Sequence, residues 1–348
     1  MRGSGLAILV NANAKRGGRR IAVQTQRLLP DARVKLTRTL DEVVVWLKEI
    51  LPTKPDVIVA AGGDGTAIAL VNALARVIDA EAGGAPRDHV LPPIGVLKLG
   101  TGNAWANVLG APKLAESLVI LRDLHEREGP LPLRRFGLVE VGGDGGPGIL
   151  SHFAGAGWDA EILSDYKEQL AQSKGPPRFF AKSVYGYVTA MLTRTAPKSI
   201  VLGRPHLLIE NLGDEVFTVD SRGALKRVDG AKHGTVLWDG LMSVAGAATC
   251  PEFGYRFRAY PFAERMLGML NVRVFDRSTI GGIASIPRLW TGRHPLRGMH
   301  DWFTTAARFT FSRPMAIEIG GDAHPARRSV EMRVSKWEAR VLDWRAMR

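Results

Sequence analysis

The sequence predicts an α/β fold built on a mostly parallel sheet, followed by a second, strand-rich domain. Short β-branched runs alternate with amphipathic helical stretches as far as about residue 130, the pattern of strands covered by helices on both faces. From Pro130 the texture changes to short apolar segments divided by Gly, Pro and Asp turns, which reads as a mainly antiparallel β domain. Three polar loops, at residues 11–18, 62–66 and 100–103, each follow a predicted strand. In parallel sheets ligands bind beyond the carboxyl ends of the strands, so these loops should line one edge together.

The elements follow in order. Leu6 to Val10 is an apolar run that reads as a buried first strand, ending in the polar loop Asn11 to Gly18. Ile21 to Leu29 has helical spacing, and Arg33 to Thr37 suggests a second strand. Leu40 to Leu51 forms an amphipathic helix with Val43, Val44, Leu47, Ile50 and Leu51 on its apolar side. The stretch from Pro55 to Ala67 passes from a β-branched run into Gly62-Gly63-Asp64-Gly65-Thr66, then into helix formers from Ala67 to Ile78. After a Gly/Pro-rich segment, Ile94 to Leu99 reads as a fourth strand running into Gly100-Thr101-Gly102-Asn103. Pro112 opens a helix lined by Leu114, Leu118 and Leu121. Apolar segments then recur at 136–142, 149–154, 200–209, 235–238, 241–246, 270–275, 307–311, 315–319 and 329–334, with helices expected at 159–172 and 178–193. The expected division is 1–132, 133–330 and a C-terminal segment 331–348 that returns to the first domain.

Bulk properties narrow the class. A chain of 348 residues suffices for two domains with their own cores. Cys250 is alone, which excludes an intrachain disulfide and suits a reducing compartment. No apolar run reaches the ~18 residues of a spanning helix, and the run at Leu6 to Val10 is too brief for a signal peptide. The expected location is cytoplasmic, with peripheral membrane association. A formal net charge of +13 implies an acidic partner: nucleic acid, an anionic bilayer or phosphorylated ligands. Zinc-finger spacing, RNA-recognition aromatics and long basic runs are absent, which speaks against nucleic acid. Residues 251–303 hold eight arginines, four acidic residues and nine aromatics, a mixture that suits a bilayer interface or a β-domain core with a basic rim. Gly175 to Phe180 is either a lid near an acceptor pocket or a loop.

A glycine turn between strand and helix brings backbone N–H groups and a helix N-terminus to one point, a ready phosphate site. The 62–66 turn lacks the P-loop lysine and carries Asp64 instead. A carboxylate there makes sense beside a divalent cation, or as acceptor of a proton from an attacking hydroxyl, or simply as a cap of the next helix.

The pair Gly62-Gly63-Asp64-Gly65-Thr66 and Gly100-Thr101-Gly102-Asn103-Ala104-Trp105-Ala106 resembles the catalytic domain of diacylglycerol kinases and related bacterial lipid kinases, with an Asn-Ala-x-Ala form similar to sphingosine kinases. Asn11 to Gly18, Thr37, Gly155 to Ala160, Trp238 to Leu241 and Gly292-Arg293-His294 resemble further motifs of that family. The resemblance implies a phosphofructokinase/NAD-kinase-like α/β domain followed by a β-sandwich, ATP in the cleft between them, and transfer of the γ-phosphoryl to a diacylglycerol-like or sphingoid-like lipid hydroxyl. It implies nucleotide contacts at Asn11, Thr37, Gly62, Gly63, Asp64, Gly65, Thr66, Ala67, Ile68, Gly100, Thr101, Gly102 and Asn103. It also implies Mg2+ at Asp239 with the carbonyls of Val236 and Leu241, where the residues alone read as a hairpin turn. The Gly155 and Gly157 pair also mimics a dinucleotide fingerprint, but its mid-chain position speaks against that reading.

The sequence departs from the family at Ile68, Ala69 and Ala104, and above all at His324, which stands where bacterial members carry the proposed glutamate base. The candidate bases are therefore Asp64, Asp322 and His324. Losing one base costs ~10²–10⁴-fold, so a weak or altered enzyme is compatible with the sequence. Asp64→Asn is expected to abolish phosphorylation and spare ATP binding. The expected partners are a lipid alcohol, an anionic membrane surface and a second copy in a homodimer. Two alternatives stand beside this reading: an NAD kinase-like enzyme, which shares the Gly-Gly-Asp-Gly motif, and a non-catalytic nucleotide- or lipid-binding protein.

Overall fold

The computed structural model describes residues 5–13, 17–82, 89–124, 129–142, 148–158 and 201–348, and between them residues 160–163, 165, 168, 189, 191–195 and 197. Residues 14–16 of the first loop, Asp159, the 175–180 stretch and most of the helices expected over 159–172 and 178–193 lie outside the described residues. The chain divides into two compact units. Unit 1 takes Met1–Leu138, Gly254–Arg256 and Ser335–Arg348; unit 2 takes Val139–Phe253 and Phe257–Val334.

Unit 1 is a parallel sheet with helices on both faces. Strands β1 (Leu6–Asn11), β2 (Arg33–Thr37), β3 (Val57–Gly62) and β4 (Ile94–Lys98) are parallel, in the order β2-β1-β3-β4. Val341, near the C-terminus, pairs in parallel with Ile94 at the outer edge of β4. Every residue of β3 is buried, which is why it reads as an unbroken apolar run rather than an alternation. Helix α1 (Gly18–Leu28) joins β1 to β2, and α2 (Leu40–Ile50) joins β2 to β3. Thr39 caps α2 by accepting from the Glu42 N–H at 3.3 Å, while the Glu42 carboxylate accepts from Arg38 N–H at 2.7 Å. Helix α3 (Asp64–Ala82) joins β3 to β4 and packs on α2. The chain steps one way from β1 to β2 and the other way from β2 to β3 and on to β4. Right-handed crossovers therefore put α1 on one face and α2 and α3 on the other.

Two helices differ from the sequence reading. Helix α3 begins at Asp64 rather than Ala67, because the Gly63 carbonyl already accepts from the Thr66 and Ala67 N–H groups. The glycine turn is thus the helix's own first turn. A short helix α4 (Ala104–Val108), too brief to show an apolar period, precedes α5 (Leu114–Asp123).

Unit 2 is antiparallel. Its strands include the last residues of β5 (Leu133–Gly142), then β6 (Ile149–Ser151), β7 (Phe153–Gly157), β8 (His206–Asn211), β9 (Phe217–Val219) and β10 (Leu225–Arg227). They continue with β11 (Val236–Leu241), β12 (Val244–Ala248), β13 (Leu270–Phe275), β14 (Met299–Thr304), β15 (Ala306–Ile319) and the first part of β16 (Asp322–Leu342). Strand β15 pairs with β8 over residues 307–311 and with β7 over 317–319, while its register with β16 shifts between Thr310 and Met315. One long strand thereby changes partner along its length, and the core of unit 2 includes Leu207, Ile209, Val272, Phe309 and Ile317. Strands β9 and β10 escaped the sequence reading because none of their residues is buried, so they carry no apolar run.

The structure decides three local readings that the sequence left open or spoke against. Trp238-Asp239-Gly240-Leu241 is a strand paired with β8, not a hairpin turn. Gly155 and Gly157 lie inside β7, not in a phosphate turn. None of the nine aromatics between 251 and 303 is exposed: Tyr260, Phe262, Phe275 and Phe303 are buried and the rest are half-buried. Phe253 stacks on Phe153 at 3.9 Å and Phe257 on Trp290 at 5.3 Å, so these rings pack the protein rather than present an aromatic belt.

The basic residues of that region are also partly structural. Arg273 on β13 faces Asp301 on β14, both buried, with Nε–Oδ1 at 2.8 Å and Nη2–Oδ2 at 3.0 Å. Asn271 Nδ2 adds a third donor to the Asp301 carboxylate, at 3.0 Å from Oδ1. Removing one partner of such a pair leaves the other charge buried. Asp301→Ala should therefore lower the unfolding free energy of the full chain by ~3–5 kcal/mol in urea titrations, and a loss below ~1 kcal/mol would refute this role.

Candidate active site

The order β2-β1-β3-β4 reverses direction between β1 and β3, and the crevice at the carboxyl ends of these two strands is where such sheets take a ligand. Asn11 ends β1, and its Nδ2 donates to Thr66 Oγ1 in the first turn of α3 at 2.9 Å. The first and second polar loops are thus joined at the switch point. Thr37 ends β2; it is buried, and its carbonyl accepts from Ala12 N–H at 2.8 Å.

The second and third loops meet backbone to backbone. A Cβ on Gly63 would lie 2.8 Å from Gly100 Cα, and one on Gly100 would lie 2.3 Å from Gly63 Cα. Only glycine at both places permits that approach. Leu99 N–H donates to the Gly62 carbonyl at 3.2 Å. Asn103 closes the second turn from the left-handed region, φ 58°, its side chain accepting from Gly100 N–H at 2.8 Å and donating to Gly100 O at 2.9 Å.

Asp64 ties the two turns together. Its carboxylate accepts from the backbone N–H groups of Ala104, Asn103 and Trp105, at the start of α4. It caps a helix, but α4 rather than the helix that it begins. Part of the residue still meets solvent, yet its carboxyl is packed among protein atoms. Burial pushes its pKa up to about 6, and the backbone donors oppose that rise. A cavity of about 10 Å³ behind the turns, lined in part by Gly63, Asp64, Asn103 and Trp105, has room for about one water. A larger ligand must lie on the open side of the turns.

Three residues far along the chain complete this edge of unit 1. Gly254, Tyr255 and Arg256 all have positive φ, at 123°, 51° and 62°. The two non-glycine residues each cost ~1–2 kcal/mol in that region. Tyr255 N–H donates to the Gly102 carbonyl at 2.9 Å, and its hydroxyl hydrogen-bonds the Thr101 side chain. A Cβ on Gly254 would lie 2.8 Å from Gly102 Cα. Sequence reasoning missed this segment, because its partner is remote and only Gly254 hints at a close approach.

The remaining candidates are placed as follows. Gly65 is exposed at the turn, and Thr101 and Gly102 are half-buried. Ala67 and Ile68 are buried in α3, so their side chains serve the core. Asp322 and His324 belong to unit 2, just after the two-glycine hairpin turn Gly320-Gly321 that joins β15 to β16. Asp322 is exposed and His324 half-buried, and both are engaged with other protein groups. Asp239 lies on β11, exposed, with Oδ1 3.2 Å from His206 Nε2; Val236 and Leu241 are the ends of the same strand. No three His, Cys, Asp or Glu side chains converge there or elsewhere among the described residues. Val236 and Leu241, five residues apart along an extended strand, stand ~15 Å from each other, so their carbonyls cannot share one cation with Asp239, and the Mg2+ set expected from the sequence does not come together.

Residues 5–130 match the diacylglycerol kinase catalytic domain. A diacylglycerol kinase from Bacillus anthracis str. Sterne has the same fold, with TM-score 0.58 at 13% identity over 100% of both chains. A second protein of that strain, provisionally assigned as a diacylglycerol kinase, gives TM-score 0.63 at 15% identity over 100% of this chain and 98% of the other. At such identities the likeness is one of fold. No curated protein sequence matches the chain.

Two outcomes test the geometry. Gly100→Ala must push two backbones apart and should destabilise the chain by ~1–3 kcal/mol in urea titrations; an unchanged midpoint would contradict the backbone contact. Asp64 binds its proton more tightly folded than unfolded, so its stability contribution is present below pH ~4 and is lost as pH rises towards ~6. Relative to Asp64→Asn, which cannot titrate, the wild type should lose stability across that window. A difference that stays flat with pH would refute the shift.

Proposed function

We propose that this chain is an ATP-dependent lipid kinase that transfers the γ-phosphoryl group to the hydroxyl of a diacylglycerol-like or sphingoid-like lipid. The observation that carries this reading is the pair of glycine turns, joined through Asp64, the first of them at the switch point of a parallel sheet, within the diacylglycerol kinase catalytic domain match. Phosphoryl transfer needs positioning and charge neutralisation more than covalent chemistry from the protein. ATP supplies the phosphoryl group, and the Mg2+ that accompanies it lets an anion such as Asp64 sit close to phosphates.

Each residue then has a task. Gly62 to Thr66 and Gly100 to Asn103 hold the phosphates by their backbones. Asn11 fixes Thr66 and so the first turn of α3. The proton of the acceptor hydroxyl goes to Asp64, Asp322 or His324. Asp64 is already committed to several backbone donors, which makes it a clamp of the turns as well as a candidate base. The acceptor is presented at an anionic membrane surface. Leu267, 77% exposed, and Ile280, 76% exposed, lie in unit 2 with exposed Arg288, Arg293 and Arg297. Ile280 belongs to helix α6 (Thr279–Trp290), whose buried residues are only Thr279 and Gly282. A second reading, nucleotide binding without turnover, is favoured by the commitment of Asp64 to backbone donors.

The geometry revises what Asp64→Asn should do. An asparagine NH2 group would face backbone N–H donors, so the turns should loosen and ATP binding should weaken along with transfer. With labelled ATP, Mg2+ and a lipid extract in anionic vesicles, the wild type should yield a phosphorylated lipid identifiable by mass. Asp64→Asn should lose ~10²-fold or more of that activity and about ten-fold in ATP affinity. Phosphorylation of NAD instead of any lipid, or ATP binding with no product, would overturn the assignment.

A further inference from the structure

The glycine turns carry no lysine, and Asp64 adds a negative charge where a polyphosphate should lie. Phosphate sites ordinarily contain a cation that meets the nucleotide directly. Lys98, at the end of β4, is engaged within the protein. Arg256 is exposed, and no ion pair engages it among the described residues. It follows Tyr255, whose N–H and hydroxyl are both bonded to the Thr101-Gly102 turn. One residue step, ~3.8 Å of chain, therefore separates a free guanidinium-bearing residue from a residue clamped on the candidate phosphate turn.

The backbone gives an independent reason to single out this segment. Three consecutive residues hold positive φ, and two of them are not glycine. Strain of this kind persists where surrounding contacts over-determine it, and it gathers at ligand sites. A glycine at 256 would hold φ 62° at ease; an arginine there is kept against its backbone preference.

We propose that Gly254–Arg256 completes the polyphosphate site: Tyr255 fixes the Thr101-Gly102 turn, and Arg256 supplies the cation that the glycine turns lack. Arg256 is a binding residue for the phosphates of the nucleotide, and Tyr255 a positioning residue. This rests on the nucleotide-site reading above. The phosphate chain, rather than the base or sugar, is the part of the ligand that Arg256 recognises, so its contribution grows from AMP to ATP and falls with added salt.

The test separates this proposal from the reading beneath it. ATP, ADP and AMP binding to the full chain is measured by calorimetry for the wild type, Arg256→Gly and Arg256→Lys, with thermal unfolding of each. Arg256→Gly removes the cation while keeping the backbone geometry, so it should fold with an unchanged or higher melting temperature. It should lose about ten- to a hundred-fold in ATP affinity and much less in AMP affinity. Arg256→Lys should fall between the two. Tyr255→Phe should weaken ATP several-fold through the loosened turn, with the same salt dependence as the wild type. A wild type that binds ATP together with an Arg256→Gly variant that binds it equally well overturns this proposal and leaves the nucleotide site standing. A wild type that binds no ATP at millimolar concentration overturns both.

Discussion

The carboxylate of Asp64 against the backbone N–H groups at the start of α4 is the contact on which this edge of unit 1 depends. It joins two turns that belong to different βα units. Without it, the touching backbones of Gly63 and Gly100 would be held mainly by the Leu99–Gly62 bond and by the strands behind them. The arrangement has a cost. A carboxyl packed among protein atoms holds its proton up to about pH 6, so the clamp is mostly ionised at neutral pH and progressively protonated below it. Stability and charge state at the turns are therefore linked through one group.

The same contact changes what can be asked of Asp64 in chemistry. A base needs a lone pair directed at the proton it takes, and the backbone donors beside Asp64 compete for its lone pairs. Phosphoryl transfer tolerates this better than most reactions, because its barrier is lowered chiefly by positioning and by neutralising phosphate charge. A site of rigid backbone donors, a bridging carboxylate and a nearby arginine supplies those two things. In the proposed site the neutralising cation is Arg256, from a segment held in left-handed backbone conformation against the Thr101-Gly102 turn.

In unit 2 the arginine and aromatic content of 251–303 illustrates how composition alone misleads. Phe253, Phe257 and Tyr260 pack with Phe153, and Arg273 is buried against Asp301. A ring or a guanidinium reads the same in a sequence whether it faces lipid or a neighbouring strand. Burial decides, and burial is a property of the folded chain. Within 251–303 the exposed large apolar residues are instead Leu267 and Ile280, which stand outside the aromatic pattern.

The sequence by itself determined the alternation of unit 1, the three polar loops and the residue types within them. Strand and helix there are local, set by buried β-branched runs such as Val57 to Val59 and by helical spacing such as Val43, Leu47 and Ile50. The glycines were legible because only a residue without a Cβ allows two backbones to touch. The tertiary structure decided everything that rests on remote partners. It gave Asp64 to α4 rather than α3, drew Asn11 to Thr66, and set Tyr255 on Gly102. It also gave β15 two successive partners. Such contacts join positions tens to hundreds of residues apart, and no local periodicity encodes which distant group a polar side chain will meet once the chain has folded.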